Sequence, residues 1–165
     1  MKTAIIYVSK YGTTEKVAIA ISEKISPKNE IQLISLKQMS NPDIARFERV
    51  ILGVSIYAGQ ASKRMKEFCK TNENLLLEKT IGLFVCGMDP NKEKQETELK
   101  EAYPEQLLKN AIATGFMGGE FIFEKMNFLE RLIIKKIAKT NSSVNRINWE
   151  TIDEFVKKIA LIDME

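Results

Sequence analysis

The chain has 165 residues, about the length of one domain, of which 44% are hydrophobic and 28% are charged. These values are typical of a globular protein and exclude a wholly disordered chain, a collagen and a disulfide-rich scaffold. The sequence contains no histidine, which removes the usual general base at neutral pH and the commonest transition-metal ligand. We therefore expect neither a catalytic triad nor a metal site.

The two cysteines and the apolar segments indicate the compartment. Cys69 and Cys86 are not spaced as a redox pair, so we expect free buried thiols in a reducing environment. The apolar run at residues 4–8 is too short for a signal peptide, and no segment approaches the roughly 20 apolar residues of a membrane-spanning helix. These features predict a cytoplasmic protein and leave open a peripheral position at the inner face of the membrane.

Short apolar runs alternate with helical patterns along the chain, which predicts repeated strand-helix units. A continuous, β-branched apolar run predicts the first strand at residues 3–8. The helix that follows is predicted to begin at Thr13 or Thr14, and Pro27 marks its end.

Four further strands complete the predicted sheet, at residues 31–36, 49–56, 80–86 and 116–123. Helical patterns lie at residues 63–70, 97–113 and 149–161. Five strands with interleaved helices fit an α/β doubly wound parallel sheet of order 2-1-3-4-5, whose ligand crevice lies beyond the carboxyl ends of strands one and three. No linker interrupts the pattern, so residues 1–165 are predicted to form a single domain.

The loop after the first predicted strand combines one glycine with three aliphatic hydroxyl groups and reads Ser9, Lys10, Tyr11, Gly12, Thr13, Thr14. A phosphate dianion needs backbone N–H donors, the positive end of a helix dipole and hydroxyl donors, all of which such a loop supplies. The alternative is that Gly12 only turns the chain and that Thr13 or Thr14 caps the helix. The glycines of a P-loop and of a dinucleotide fingerprint are missing, as are the carboxylates of a phospho-acceptor site.

This loop resembles the [ST]-x-[ST]-G-x-T phosphate loop of the flavodoxins. Ser9, Gly12 and Thr14 match the pattern, and Tyr11 replaces its middle hydroxyl residue. The resemblance implies a flavodoxin-like fold and FMN as cofactor, with the 5′-phosphate held by residues 9–14. In such proteins the flavin carries the redox chemistry, so we assign no catalytic side chain and no metal.

Two further loops are predicted to hold the flavin ring. The first ends the third strand with Ser55, Ile56, Tyr57, Ala58 and Gly59. Tyr57 would stack on the ring and the peptide between Ala58 and Gly59 would meet its edge, although a plain turn with an exposed tyrosine is the alternative. The second follows the fourth strand and consists of Cys86, Gly87 and Met88. It would approach the other side of the ring, but it contains no aromatic side chain that could stack on the ring.

Further stretches of the sequence relate the chain to one branch of the flavodoxin-like proteins. Residues 50–59, residues 115–139 and the Asn148-Trp149-Glu150 opening of the last helix are similar to the menaquinone-dependent protoporphyrinogen oxidases, and the similarity extends over residues 2–160. That branch carries an extra basic and hydrophobic segment between strand five and the last helix. The resemblance implies oxidation of protoporphyrinogen IX by FMN, with electrons passed to a membrane quinone.

The basic excess of the chain lies in the same part of the sequence. Residues 124–146 contain six basic and two acidic residues, a local charge of +4 in a chain whose net charge is +3. A predicted helix at residues 126–139 directs a stripe at the core, consisting of Met126, Leu129, Ile133 and Ile137. Its other side carries Arg131, Lys135, Lys136 and Lys139, with Phe128 and Leu132 among them. Residues 125–139 therefore form either a solvated face or a helix that lies against anionic headgroups.

Three functions are compatible with these patterns: an FMN-dependent oxidoreductase of the protoporphyrinogen oxidase type, a one-electron carrier, and a flavin-free interaction module. Soluble carrier flavodoxins are generally strongly acidic, whereas this chain has an isoelectric point of about 8.8, which favours a quinone or a redox partner protein as acceptor. The charged residues 92–100 mix both signs and do not indicate nucleic-acid binding. The sequence does not indicate the oligomeric state.

Overall fold

The structure is a computed structural model that describes residues 1–25, 29–139 and 142–162. Its main sheet contains β1 (Lys2–Val8), β2 (Glu30–Ser35), β3 (Arg49–Tyr57), β4 (Gln60–Ala61), β5 (Thr80–Cys86) and β6 (Ala111–Phe116). The order β2-β1-β3-β5-β6 is parallel throughout, and β4 pairs antiparallel with the end of β3. The predicted doubly wound order 2-1-3-4-5 is confirmed.

Helices cover both faces of the sheet. They are α1 (Thr13–Lys24), α2 (Lys63–Thr71), α3 (Glu73–Leu77), α4 (Lys92–Ala102), α5 (Glu105–Asn110), α6 (Phe128–Ala138) and α7 (Trp149–Leu161). Alternate residues of β1 enter different cores, as the two-residue repeat of a strand requires. Ile5 belongs to the core that α1 and α7 cover, while Ile6 belongs to the core that α2, α3, α4 and α5 cover. Pro27, which we expected at the end of the first helix, lies outside the described residues.

The fifth strand lies earlier in the chain than predicted. We expected a helix at residues 97–113 and a strand at residues 116–123, whereas the helical region is split into α4 and α5 and the strand is β6. Pro104 explains the split, because Tyr103 before it adopts an extended conformation that ends α4. Gly118, with φ of 70°, turns the chain after β6, and a Cβ there would lie 2.0 Å from the carbonyl oxygen of Arg146.

Residues 117–148, here called the extra segment, connect β6 to α7. The segment contains β7 (Glu120–Phe121), a 3-10 turn (Phe123–Lys125), α6 and β8 (Val144–Asn145), and β7 pairs antiparallel with β8. A capping box begins α6, since Asn127 and Glu130 each accept a hydrogen bond from the other's backbone N–H. An extra helix before the last helix is thus present, as predicted.

The face that α6 turns to the protein differs from the prediction. Ile134 is buried, but Leu129 and Ile133, which we placed in the core-facing stripe, are 68% and 48% exposed. The capping box and the contact of Glu130 with Lys10 set the rotation of the helix, so that Glu130 and Ile134, one turn apart, face the protein. Met126, the first residue of the predicted stripe, is buried just before the helix begins. The side chain of Ile137, the last residue of the stripe, is not among those that the structure describes.

The outer face of α6 is consequently apolar as well as basic. Phe128 and Leu132 are 74% and 46% exposed, beside Leu129 and Ile133. Among the described residues no helix is long and apolar enough to cross a bilayer.

The close packing around Gly53 of β3 predicts that a larger residue there would destabilise the fold. A Cβ at this position would lie 2.0 Å from Cζ of Phe84, its register partner on β5, and the Phe84 ring is fully buried with its centroid 6.2 Å from that of Phe155. Gly53→Ala should lower the free energy of unfolding by about 1–3 kcal/mol through overpacking, measured by urea denaturation. In a Phe84→Leu background the same substitution should cost clearly less, and an equal cost in both backgrounds would contradict the assignment.

Candidate functional site

A cleft lies beyond the carboxyl ends of β1, β3 and β5. Three loops meet there, as expected at the point where the strand order reverses: loop 1 (residues 9–14), loop 2 (residues 55–59) and loop 3 (residues 86–88). Most of the predicted site residues line it, namely Ser9, Lys10, Tyr11, Thr13, Thr14, Ser55, Ile56, Tyr57, Cys86, Gly87 and Met88. Gly12, Ala58 and Gly59 belong to the same loops but lie outside this lining.

Loop 1 leaves polar donors available at the beginning of α1. Gly12 precedes the helix with φ of 103°, and its N–H donates to Ser9 Oγ at 2.9 Å. No side chain caps α1, so neither Thr13 nor Thr14 serves the capping role that was the alternative to anion binding. Thr14 is fully buried, and its hydroxyl has no nitrogen or oxygen partner in the part of the chain that the structure describes. The thiol of Cys86, a weak hydrogen-bonding group, lies beside it. Such a buried hydroxyl beside an uncapped helix N-terminus is suited to an anion.

Two lysines from other parts of the chain contact the backbone of loop 1, with which they line a second pocket. Lys125 Nζ donates to the carbonyl oxygen of Tyr11 at 2.9 Å and lies 3.4 Å from the position a Cβ of residue 12 would take. Lys37 Nζ approaches the carbonyl oxygen of Lys10 at 3.5 Å. Both lysines thus satisfy loop carbonyls and bring positive charge to the loop.

A second group of charges joins the extra segment to α1. Glu120 accepts from Thr13 Oγ1 at 3.3 Å and from Asn145 Nδ2 at 2.7 Å, and it pairs with Lys16 Nζ at 2.9 Å. The Glu120 side chain is only 11% exposed, so these contacts compensate a carboxylate that lines the cleft.

Lys10 bridges loop 1, loop 2 and α6. Its Nζ lies 2.7 Å from Glu130 Oε1 and over the ring of Tyr57, 3.4 Å from the centroid. The hydrogen bond from Lys10 is the main cause that lowers the pKa of Glu130 to about 2. Burial raises the pKa of Tyr11, which packs against Phe123, Met126 and Ile134, to about 12.

Loop 2 is a tight hairpin. Ile56 pairs with Ala61 and Tyr57 with Gln60, which leaves Ala58 and Gly59 as a two-residue turn with φ of 50° and 73°. Positive φ at both central residues is the geometry that hairpins with two-residue loops favour. For Ala58 this conformation costs about 1–2 kcal/mol, so loop 2 stores backbone strain at the cleft.

Loop 3 closes the other side of the cleft through close backbone packing. Gly87 N–H donates to the carbonyl oxygen of Gly118 at 2.9 Å, and a Cβ on Gly119 would lie 3.0 Å from the Gly87 oxygen. Cys86 is buried, which raises the pKa of its thiol to about 12, so it is not an activated nucleophile. Within the described residues no cluster of three or more histidine, cysteine or acidic side chains could hold a metal ion.

Sequence reasoning missed the contribution of the extra segment to the cleft, which consists of Gly119, Glu120, Phe121, Met126 and Ile134. Residues 119–121 lay inside the strand predicted at residues 116–123, and Met126 was assigned to the core. The Gly118-Gly119 pair was the available signal, because a double glycine marks a turn more often than a strand interior. Nothing in the pattern singled out Ile134.

The contact between Lys10 and Glu130 predicts a pH dependence of stability. Because the pKa of Glu130 is lower in the folded chain than its ordinary value of 4.5, its contribution is present above about pH 4.5 and is lost as the pH falls towards 2. Urea denaturation of Glu130→Gln between pH 6 and 2 should show a shallower acid loss than the wild type, with the two curves converging near pH 2. Glu105→Gln, which removes the exposed partner of Lys109, is the control and should change the slope far less. Parallel curves for wild type and Glu130→Gln would contradict the role of this contact.

Comparisons with known proteins agree with this architecture. The family model of the flavodoxin domain matches residues 4–147. The protoporphyrinogen IX dehydrogenase [quinone] of Escherichia coli strain K12 is 21% identical and covers 97% of this chain and 95% of its own length. A flavodoxin of Clostridium saccharobutylicum is 26% identical over 96% of this chain and 99% of its own.

Solved structures show the same fold. The Streptococcus pneumonia TIGR4 flavodoxin covers 98% of this chain and 99% of its own, with a TM-score of 0.60 at 15% identity. A short-chain flavodoxin associated with a bacterial microcompartment has the same TM-score at 12% identity, covering 100% of this chain and 99% of its own. With its strand order, its cleft and a family match over most of its length, the chain belongs to the flavodoxin domain family.

Proposed function

We propose that this chain is an FMN-dependent oxidoreductase that resembles protoporphyrinogen dehydrogenases and passes electrons to a quinone. The observation that carries the proposal is loop 1, where an uncapped helix N-terminus and the buried hydroxyl of Thr14, which has no nitrogen or oxygen partner among the described residues, meet at the carboxyl end of β1. These donors fit a phosphate dianion. Lys125 and Lys37 add positive charge at the loop, where each donates to a backbone carbonyl oxygen.

The rest of the cleft fits a flavin ring. Tyr57 on loop 2 offers an aromatic wall, and Met88, Phe121 and Ile134 supply apolar surface opposite the polar loop 1. When bound, FMN would supply the redox chemistry. The chain's own residues would anchor the phosphate, orient the ring against Lys10 and Tyr57 together, and limit the access of water, as in other flavoproteins.

Enzyme activity is favoured over simple electron carriage by the relatives and by the charge. The E. coli relative, a quinone-dependent protoporphyrinogen IX dehydrogenase by its name, covers nearly the whole chain, although the identity is only 21%. A net charge of +3 gives the protein no strongly acidic docking field. An electron carrier is the second candidate, supported by the 26% identical flavodoxin of C. saccharobutylicum.

The outer face of α6 supports a docking role on an anionic membrane, where a quinone dissolves. Four large apolar side chains are exposed there, Phe128, Leu129, Leu132 and Ile133. Arg131, Lys135 and Lys136 share the helix and are exposed, and each basic group near an anionic surface contributes about 1 kcal/mol. The opposite side of the same helix lines the cleft through Ile134. A helix lying in the headgroup region would therefore hold the cleft close to the lipid.

The phosphate site generates a prediction about cofactor choice. The protein should bind FMN and discriminate strongly against riboflavin, which lacks the phosphate, in titrations that follow quenching of flavin fluorescence. Thr14→Val should raise the dissociation constant of FMN about tenfold or more, because a hydrogen bond to a charged group is lost. The same substitution should stabilise the flavin-free chain by up to about 1 kcal/mol, since it removes a buried hydroxyl that has no nitrogen or oxygen partner among the described residues.

Thr3→Val is the matched control for this prediction. Thr3 is also fully buried with an unpartnered hydroxyl, but it lies at the start of β1, away from loop 1. It should gain similar stability and keep the FMN affinity of the wild type. Equal affinities for FMN and riboflavin, or equal effects of the two substitutions on the affinity for FMN, would contradict the phosphate site.

The reaction is tested by mixing the FMN-loaded protein anaerobically with protoporphyrinogen. Loss of the yellow flavin absorbance, followed by its return when a menaquinone analogue in lipid vesicles is added, is the expected result. Vesicles that contain anionic lipid should give a faster return than neutral vesicles, and Leu129→Ser should remove most of that advantage. No bleaching by protoporphyrinogen, although dithionite bleaches the flavin, would leave the carrier as the function.

Leu161→Ser is the control for the lipid contact, because Leu161 on α7 is 64% exposed, much like Leu129 at 68%. It should leave the vesicle dependence unchanged. Both variants should react normally with a water-soluble quinone, which requires no docking. A vesicle dependence that is the same in Leu129→Ser and Leu161→Ser would contradict the assignment of α6.

A further inference from the structure

The ammonium group of Lys10 occupies the ring side of the cleft. Lys10 and Tyr57 both line the cleft, and the nitrogen lies only 3.4 Å from the centroid of the Tyr57 ring. It is also 5.2 Å from the centroid of Tyr11. Lys10 therefore reaches out of loop 1 towards loop 2, to the ring that we propose as the flavin wall.

Glu130 holds Lys10 in this position. One carboxylate oxygen, Oε1, contacts Lys10 Nζ at 2.7 Å, while the other, Oε2, accepts the backbone N–H of Asn127 at 3.0 Å. The capping box thus fixes the carboxylate on the first turn of α6, and its side chain is only 15% exposed. The position of the lysine charge in the cleft depends on where α6 docks.

The other charged pair that borders the cleft is internally balanced. Lys16 and Glu120 contact each other at 2.9 Å beside Thr13 of loop 1. Lys125 and Lys37 bind loop carbonyls. Among the residues that the structure describes, Lys10 is the lysine whose side-chain nitrogen lies over an aromatic ring of the cleft wall.

We propose that Lys10 is the cation that sets the reduction potential of the bound flavin, and that Glu130 is its positioning residue on α6. This inference rests on the FMN site proposed above. Two electrons and one proton convert a neutral flavin ring into a ring with one negative charge. A cation held near the ring stabilises that charged form more than the oxidised form, and therefore makes the potential less negative. Glu130 offsets part of this effect with its own negative charge.

The proposal gives the extra segment a function in redox tuning. In a purely structural contact, Lys10 and Glu130 would only fasten α6 to loop 1, and their loss would change stability alone. In the proposed role, their loss moves the flavin potential in opposite directions for the two residues. The direction of these shifts separates the two possibilities.

The test is a spectroscopic redox titration of the FMN-loaded protein, combined with FMN titrations of the oxidised form. Lys10→Met should weaken binding of reduced FMN relative to oxidised FMN by about tenfold, a potential about 30 mV more negative for a two-electron couple. Lys10→Arg should keep the wild-type value. Glu130→Gln, which preserves the capping box, should shift the potential in the positive direction. The double variant Lys10→Met with Glu130→Gln should have a potential on the positive side of Lys10→Met, because the negative charge of Glu130 acts on the flavin whether or not Lys10 is present.

Lys24→Met is the matched control, since it removes one positive charge from the pair of Lys24 with Asp153, 2.8 Å apart, where α1 meets α7. It should leave the potential unchanged. A shift in Lys10→Met no larger than in Lys24→Met would overturn this inference while leaving the FMN site intact. Failure of the wild type to bind FMN would overturn both proposals, and equal-sign shifts for Lys10→Met and Glu130→Gln would overturn the role of Glu130.

Discussion

The unmet hydrogen-bonding capacity at the beginning of α1 is the constraint on which the site depends. A helix leaves several backbone N–H groups without partners at its N-terminus, and proteins usually satisfy one of them with a capping side chain. Here Gly12 occupies that position without a side-chain cap, and the buried hydroxyl of Thr14 has no nitrogen or oxygen partner among the described residues. Both features cost stability in the flavin-free chain. An anion that receives these donors would recover the cost, which links the local geometry to the proposed cofactor.

The extra segment is built onto the same loop. Lys125 binds the Tyr11 carbonyl, Glu130 holds Lys10, and Glu120 contacts Thr13. Each contact reaches loop 1 from a different element of the segment, so the segment and the loop position each other. The inner side of α6 thereby completes the cleft, while its outer side exposes an apolar and basic face. In the proposed function, this one helix would connect the flavin site with the membrane surface.

The fold was predictable because its signals are local. β1, β3 and β5 are continuous apolar runs, and the loop that begins with Ser9 follows the first of them. Each of these signals lies within a short stretch of sequence, and each pattern is typical of a single kind of structure. The predicted position of β6 was wrong, because the predicted helix continued through Tyr103, whose extended conformation before Pro104 ends α4. The rotation of α6 was not predictable, since it depends on the contact between Lys10 and Glu130, 120 positions apart in the chain. The lining by Glu120 and Phe121 depends likewise on tertiary packing against loop 3.

The most direct measurement of the central claim is a phosphorus NMR titration of the protein with bound FMN. A phosphate monoester in water takes up a proton with a pKa near 6, so the signal of free FMN moves between about pH 5 and 8. Donors that converge on the phosphate should hold it as a dianion, and the bound signal should stay at the dianion position across this range. A bound signal that titrates like that of free FMN would mean that the phosphate is in solvent and that loop 1 is not its site.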